Sequence, residues 1–108
     1  MNRRFATRIP LKSEAKIVVG DAQPRAALTL DISLSGVGIL VPFPVAVGSS
    51  LYLQTELPGL PRYNSFEAEC RVITSQSLRQ NNSSVLGMEF VSIRGDFDRA
   101  LNAFMHLY

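Results

Sequence analysis

Ala26-Ala27-Leu28-Thr29-Leu30-Asp31-Ile32-Ser33-Leu34-Ser35-Gly36-Val37-Gly38-Ile39-Leu40 is the stretch whose reading decides the fold. Apolar and smaller side chains alternate along it, and Ser35-Gly36 breaks the alternation near its middle. Successive side chains of a strand point to opposite faces, so a period of two is the mark of a half-buried strand. The stretch therefore predicts two strands, Ala26 to Ser33 and Gly36 to Leu40, joined by a tight turn. The same period extends outward and predicts strands over Ala15 to Val19, Ser50 to Leu57, Phe66 to Gln76 and Ser84 to Phe90. Between them lie Gly20-Asp21, Pro42 to Gly48, Pro58-Gly59-Leu60-Pro61 and Gln80-Asn81-Asn82. Each of these has a physical reason to turn, because Gly and Asn tolerate positive φ and Pro removes a ladder donor. Six short strands with no long helix among them predict an all-β, six-stranded antiparallel barrel, closed or nearly so, which hides its edges.

The period changes after Gly95. Phe97, Ala100, Leu101, Phe104 and Tyr108 fall on one helical face, Asp98, Arg99 and Asn102 fall elsewhere, and Asp96 is a suitable N-cap. A C-terminal α-helix over residues 95–108 follows, with its apolar stripe expected to cap the barrel rather than to form a dimer contact.

The 108 residues fit a single domain, and 46% apolar with 19% charged residues is an ordinary globular balance. No run approaches the about 18 apolar residues of a membrane span. Arg3, Arg4 and Arg8 precede alternating residues rather than the apolar stretch of a signal peptide, so a cytoplasmic protein is expected. Cys70 is the single cysteine and His106 the single histidine, too few for a Cys/His metal site.

Net charge is +2, unevenly spread. Residues 1–16 hold Arg3, Arg4, Arg8, Lys12 and Lys16 against Glu14, while the remainder holds fewer cations than acids. A local excess fits a small anion better than a nucleic acid polymer, which needs cations spread over a face. Arg4 and Arg8 are an even number of residues apart, so in an extended segment they share a face and can hold one ligand between them. A guanidinium matches phosphate oxygens or the O6/N7 edge of guanine and stacks on purines. By the same alternation Asp31 and Ser33 share a face, presenting a carboxylate and a hydroxyl together, and Gly36 admits a tight turn and close backbone approach. A solvated chain end and an Asx/ST turn explain the two elements separately.

Taken together, Arg4-x-x-x-Arg8 and Asp31-x-Ser33-x-x-Gly36 resemble the RxxxR and D/N-x-S-x-x-G motif pair of PilZ domains, bacterial receptors for cyclic di-GMP. Gly87-Met88-Glu89-Phe90 is similar to a Gly-x-x-Phe segment on that family's last strand, and Ser35 departs from the glycine many members carry there. The resemblance implies that Arg4 and Arg8 grip phosphate and guanine from a flexible N-terminal arm, residues 1–10. Asp31, Ser33 and Gly36 would then form the barrel-side wall. Arg3, directly before the first motif arginine, implies an intercalated ligand dimer. Ligand binding would order the arm and signal to a downstream effector protein or an attached domain, of polysaccharide synthase or flagellar motor type, with no cofactor and no metal.

Other functions fit less well. Catalysis needs a base, a nucleophile or a metal set, and Glu67 with Glu69 on one strand face reads as solvated surface. A barrel for single-stranded nucleic acid needs aromatics interleaved with basic residues, which Tyr52, Tyr63, Phe66 and Phe90 lack apart from Arg62. The alternative that stays open is a ligand-free interaction module with the same fold.

Overall fold

Side chains that alternate along single strands bury nothing until the strands close on one another, and here they do. A computed structural model describes residues 7–59, 65–78, 82–95 and 97–107. In chain order the elements are β1 (Ile9–Pro10), β2 (Glu14–Val19), β3 (Arg25–Ile32), β4 (Gly36–Val41), β5 (Ser50–Glu56), β6 (Ser65–Ser77), β7 (Ser84–Ile93) and α1 (Phe97–Met105). Six strands form a ring in the order β3-β2-β5-β6-β7-β4, and β4 pairs back onto β3 to close it. All pairings are antiparallel. The fold is the six-stranded antiparallel barrel with a C-terminal helix that the alternation predicts.

Ile9 and Pro10, within the segment expected as an arm, pair with Ile32 and Asp31. The Leu11 N–H donates to the Leu30 carbonyl at 3.0 Å and the Thr29 N–H to the Ser13 carbonyl at 2.9 Å, carrying the ladder from β1 into β2. Ile9 is buried, an apolar anchor at the start of this edge.

The core follows the pattern. Leu51, Leu53 and Thr55 point inward from β5 while Ser50, Gln54 and Glu56 face out. Ile17, Ile32, Ile39, Phe66 and Leu86 meet there with no exposed surface. Burying each such large side chain contributes about 1.5–3 kcal/mol. The helix adds Leu101 and Phe104 to the same cluster. Phe66 joins the layers, with its ring 5.4 Å from that of Phe90 and 6.5 Å from that of Phe97. Asp96 and Tyr108 lie outside the described residues. No helix among the described residues is long and apolar enough to cross a membrane.

Three register shifts interrupt the ladders. On β3 the partner of Thr29 is Ile39 and the partner of Asp31 is Gly38, so Leu30 is an extra residue. Between β6 and β7 the shifts leave Ile73 and Val91 as the extra residues. A bulge moves the alternation by one residue, which is why β7 runs to Ile93 past the Phe90 predicted from its period. One outward row crosses four strands: Asp31 opposite Gly38, Gly38 opposite Gly87, and Gly87 opposite Thr74.

Candidate functional site

The β3–β4 connection is built by Ser33. Its N–H donates to the Gly36 carbonyl at 2.8 Å, and its Oγ accepts the N–H groups of Ser35 and Gly36 at 3.2 and 3.1 Å. The Ser33 side chain is 1% exposed, so the hydroxyl faces the turn and not solvent. This is the Asx/ST-type turn that short polar side chains favour. A β-carbon on Gly36 would stand 2.1 Å from the Met88 carbonyl oxygen on β7. The Phe90 N–H donates to the Ser35 carbonyl at 2.9 Å and fixes the turn to the same strand. Glycine is required at position 36 by the neighbouring backbone.

Asp31 sits just past the β3 bulge. Its Oδ1 accepts Arg8 Nη1–H at 2.7 Å and the Gly38 N–H at 3.1 Å. The two ionic side chains are half-exposed, 50% for Arg8 and 37% for Asp31. An ion pair so exposed is worth about 0–1 kcal/mol. The structure thus brings together Arg8 and Asp31, which are 23 residues apart in sequence. It does not set Ser33 beside Asp31 on an outer face, because β3 ends at Ile32 and the chain turns there. Arg3 and Arg4 lie outside the described residues.

Arg8 and the turn border a groove of about 980 Å³ whose other walls include Thr74, Glu89, Val91 and Asp98. Leu34, Ile73 and Val91 each remain about half exposed along it. The groove walls are about equally polar and apolar, and Arg8 is the one cation among their described lining residues, beside the carboxylates Glu89 and Asp98. A second cavity of about 1210 Å³ lies against Lys16, Arg25, Gln54 and Glu67 and contains none of the motif residues.

Tyr52, Glu67 and Cys70 lie away from the groove that Arg8 borders. Glu67 accepts the Tyr52 hydroxyl at 2.5 Å, and Arg94 lies 3.6 Å from the same carboxylate oxygen. Burial pushes the Tyr52 phenol above its ordinary value, with Glu67 adding to the shift and Arg94 opposing it. Cys70 is buried; burial foremost, with the Glu69 charge, pushes its thiol up to about 12. A thiol held in that form is no nucleophile at neutral pH. Among the described residues no group of three or more His, Cys, Asp or Glu could hold a metal ion.

Gly38 carries a part of the geometry that the motif spacing does not signal. A glycine inside a strand pattern marks a bulge or a close approach, and that cue was present in the sequence.

The PilZ domain family model matches residues 2–106 of the chain. No match was found among curated proteins. The fold is similar to that of the Bacillus subtilis inhibitor of motility (MotI/DgrA), with a TM-score of 0.78 at 19% identity, over 99% of this chain and 52% of that one. This chain therefore spans about half the length of that protein. It is also similar to the PilZ domain with c-di-GMP of YcgR from Escherichia coli, with a TM-score of 0.73 at 16% identity, covering 98% of this chain and 91% of that one. A third similar structure is the PilZ domain of CeSA from a cellulose-synthesizing bacterium, with a TM-score of 0.62 at 16% identity, covering 94% of this chain and 97% of that one.

Proposed function

This chain belongs to the PilZ domain family, and from that premise we propose that it is a receptor for cyclic di-GMP. The observation that carries the reading is the meeting of Arg8 and Asp31, one residue from each motif, at 2.7 Å, with Arg8 also lining the groove. The YcgR domain of similar fold was solved with c-di-GMP.

The roles follow from the chemistry. Arg8 turns from Asp31 to a phosphate or to the O6/N7 edge of a guanine, and Asp31 accepts the N1–H and N2–H of a guanine. The exchange is favourable because the exposed pair it breaks is worth at most about 1 kcal/mol, whereas hydrogen bonds to charged groups contribute about 1.5–3 kcal/mol each. Ser33 and Gly36 hold the turn at which the ligand rests. Arg3 and Arg4 supply further guanidinium groups, and Arg3 favours an intercalated ligand dimer. In this reading residues 1–108 act as one domain, the segment before β1 orders on the ligand, and a downstream effector or an attached domain reads the new surface. The protein works in the cytoplasm by binding, without catalysis or a cofactor, and belongs to a receptor family rather than a known enzyme family.

One observation favours the second reading, a ligand-free interaction module: Arg8 and Asp31 already satisfy one another. Calorimetric titration with cyclic di-GMP, with cyclic di-AMP and GTP as controls, decides between the two. Heat with cyclic di-GMP alone, at two ligands per chain, is expected. No heat with cyclic di-GMP leaves the interaction module, and one ligand per chain removes the dimer.

A further inference from the structure

We propose that Gly38 is a positioning residue for the ligand-binding carboxylate of Asp31, an inference that rests on the receptor reading above. Gly38 does not have the positive φ found at Gly20, Gly48, Gly59 and Gly95, so its backbone conformation is open to any L-residue. What makes it glycine is its neighbour. A β-carbon built at position 38 stands 2.8 Å from Asp31 Oδ1 and 3.3 Å from Asp31 Cγ. The same Oδ1 accepts the Gly38 N–H at 3.1 Å and Arg8 Nη1–H at 2.7 Å.

The bulge at Leu30 creates this arrangement. It brings Asp31 opposite Gly38 in the ladder, and the Gly38 N–H binds a side-chain carboxylate. A bare backbone position then becomes the seat of the carboxylate. The N–H fixes one oxygen, and the missing β-carbon gives it room.

A methyl group at position 38 would meet the far end of a side chain and not a strand. The least costly response is rotation of Asp31 about its own bonds, which leaves the barrel intact. Rotation withdraws Oδ1 from both of its donors. The expected result is a folded protein with a misplaced carboxylate, the reverse of what a methyl group at Gly36 would do against the Met88 carbonyl. A binding constellation must be held within about 0.5 Å of its productive geometry, so a carboxylate displaced in this way is expected to lose affinity for the ligand.

The test is Gly38→Ala in the full chain, read in three ways. The side-chain carboxyl ¹³C resonance of Asp31, recorded without ligand, is expected to move. The thermal midpoint is expected to stay within about 4 °C of the parent, the range of a small change in stability for a domain of this size. Affinity for cyclic di-GMP in calorimetry is expected to fall at least tenfold. An unmoved resonance, unaltered affinity with a moved resonance, or a collapsed midpoint would each overturn the proposal. If the parent protein does not bind cyclic di-GMP, the receptor reading falls, and the carboxyl resonance then decides alone whether Gly38 positions Asp31.

Discussion

Arg8 and the Ser33–Gly36 turn border the same groove, yet the turn and the Arg8–Asp31 pair are held in opposite ways. In the turn one buried hydroxyl accepts two backbone N–H groups, and the chain lies against β7 so closely that Gly36 has no room for a methyl. In the pair both side chains are half-exposed and their contact is one hydrogen-bonded ion pair. The difference teaches that a sequence motif can mix residues fixed by the backbone around them with residues whose charged groups stay half-exposed.

Substitutions sharpen that contrast. Gly36→Ala drives a methyl into the Met88 carbonyl, which no rotamer relieves; overpacking of this kind costs about 3 kcal/mol, and denaturant unfolding should show it. Ser33→Ala removes the acceptor of two N–H groups, and a loss of about 2 kcal/mol is expected in the same measurement. Equal stability of Ser33→Ala and the parent would break the comparison, because the turn would then not depend on the hydroxyl. Arg8→Ala should lower stability by less than about 1 kcal/mol while weakening cyclic di-GMP binding at least tenfold by calorimetry. A large stability loss there would assign Arg8 to the scaffold. The smallest effect is that of salt on the ligand-free protein. Raising ionic strength screens an exposed pair, so the stability difference between the parent and Arg8→Ala should shrink further toward zero.

Much of the fold was legible because inward positions such as Leu51, Leu53 and Leu86 keep their period without interruption. β1 was not legible. Two residues carry no period, and Ile9–Pro10 becomes strand only because β3 offers an open edge beyond β2. The end of β7 was misread for another reason: Val91 is apolar yet about half exposed, since it sits in a bulge.

At the site the structure sets Arg8 against Asp31, a contact that the spacing inside neither motif signals. The spacing misdirected Ser33, because alternation holds only while a strand lasts and β3 stops one residue earlier. Gly38 was visible as an odd residue in a strand, but its meaning depends on the Leu30 bulge, which is a property of two strands and cannot be read from one.

The row of Asp31, Gly38, Gly87 and Thr74 sets a dimension. Neighbouring strands lie about 4.8 Å apart, so three steps between four strands follow about 14 Å of the curved barrel surface. Two glycines occupy its middle, and a β-carbon on Gly87 would meet Thr74 Oγ1, as one on Gly38 would meet Asp31. The path along the surface between the two flanking residues is therefore ruled by the spacing of the hydrogen-bonded ladder. A barrel variant with a loosened core would lose melting temperature long before it changed that gauge.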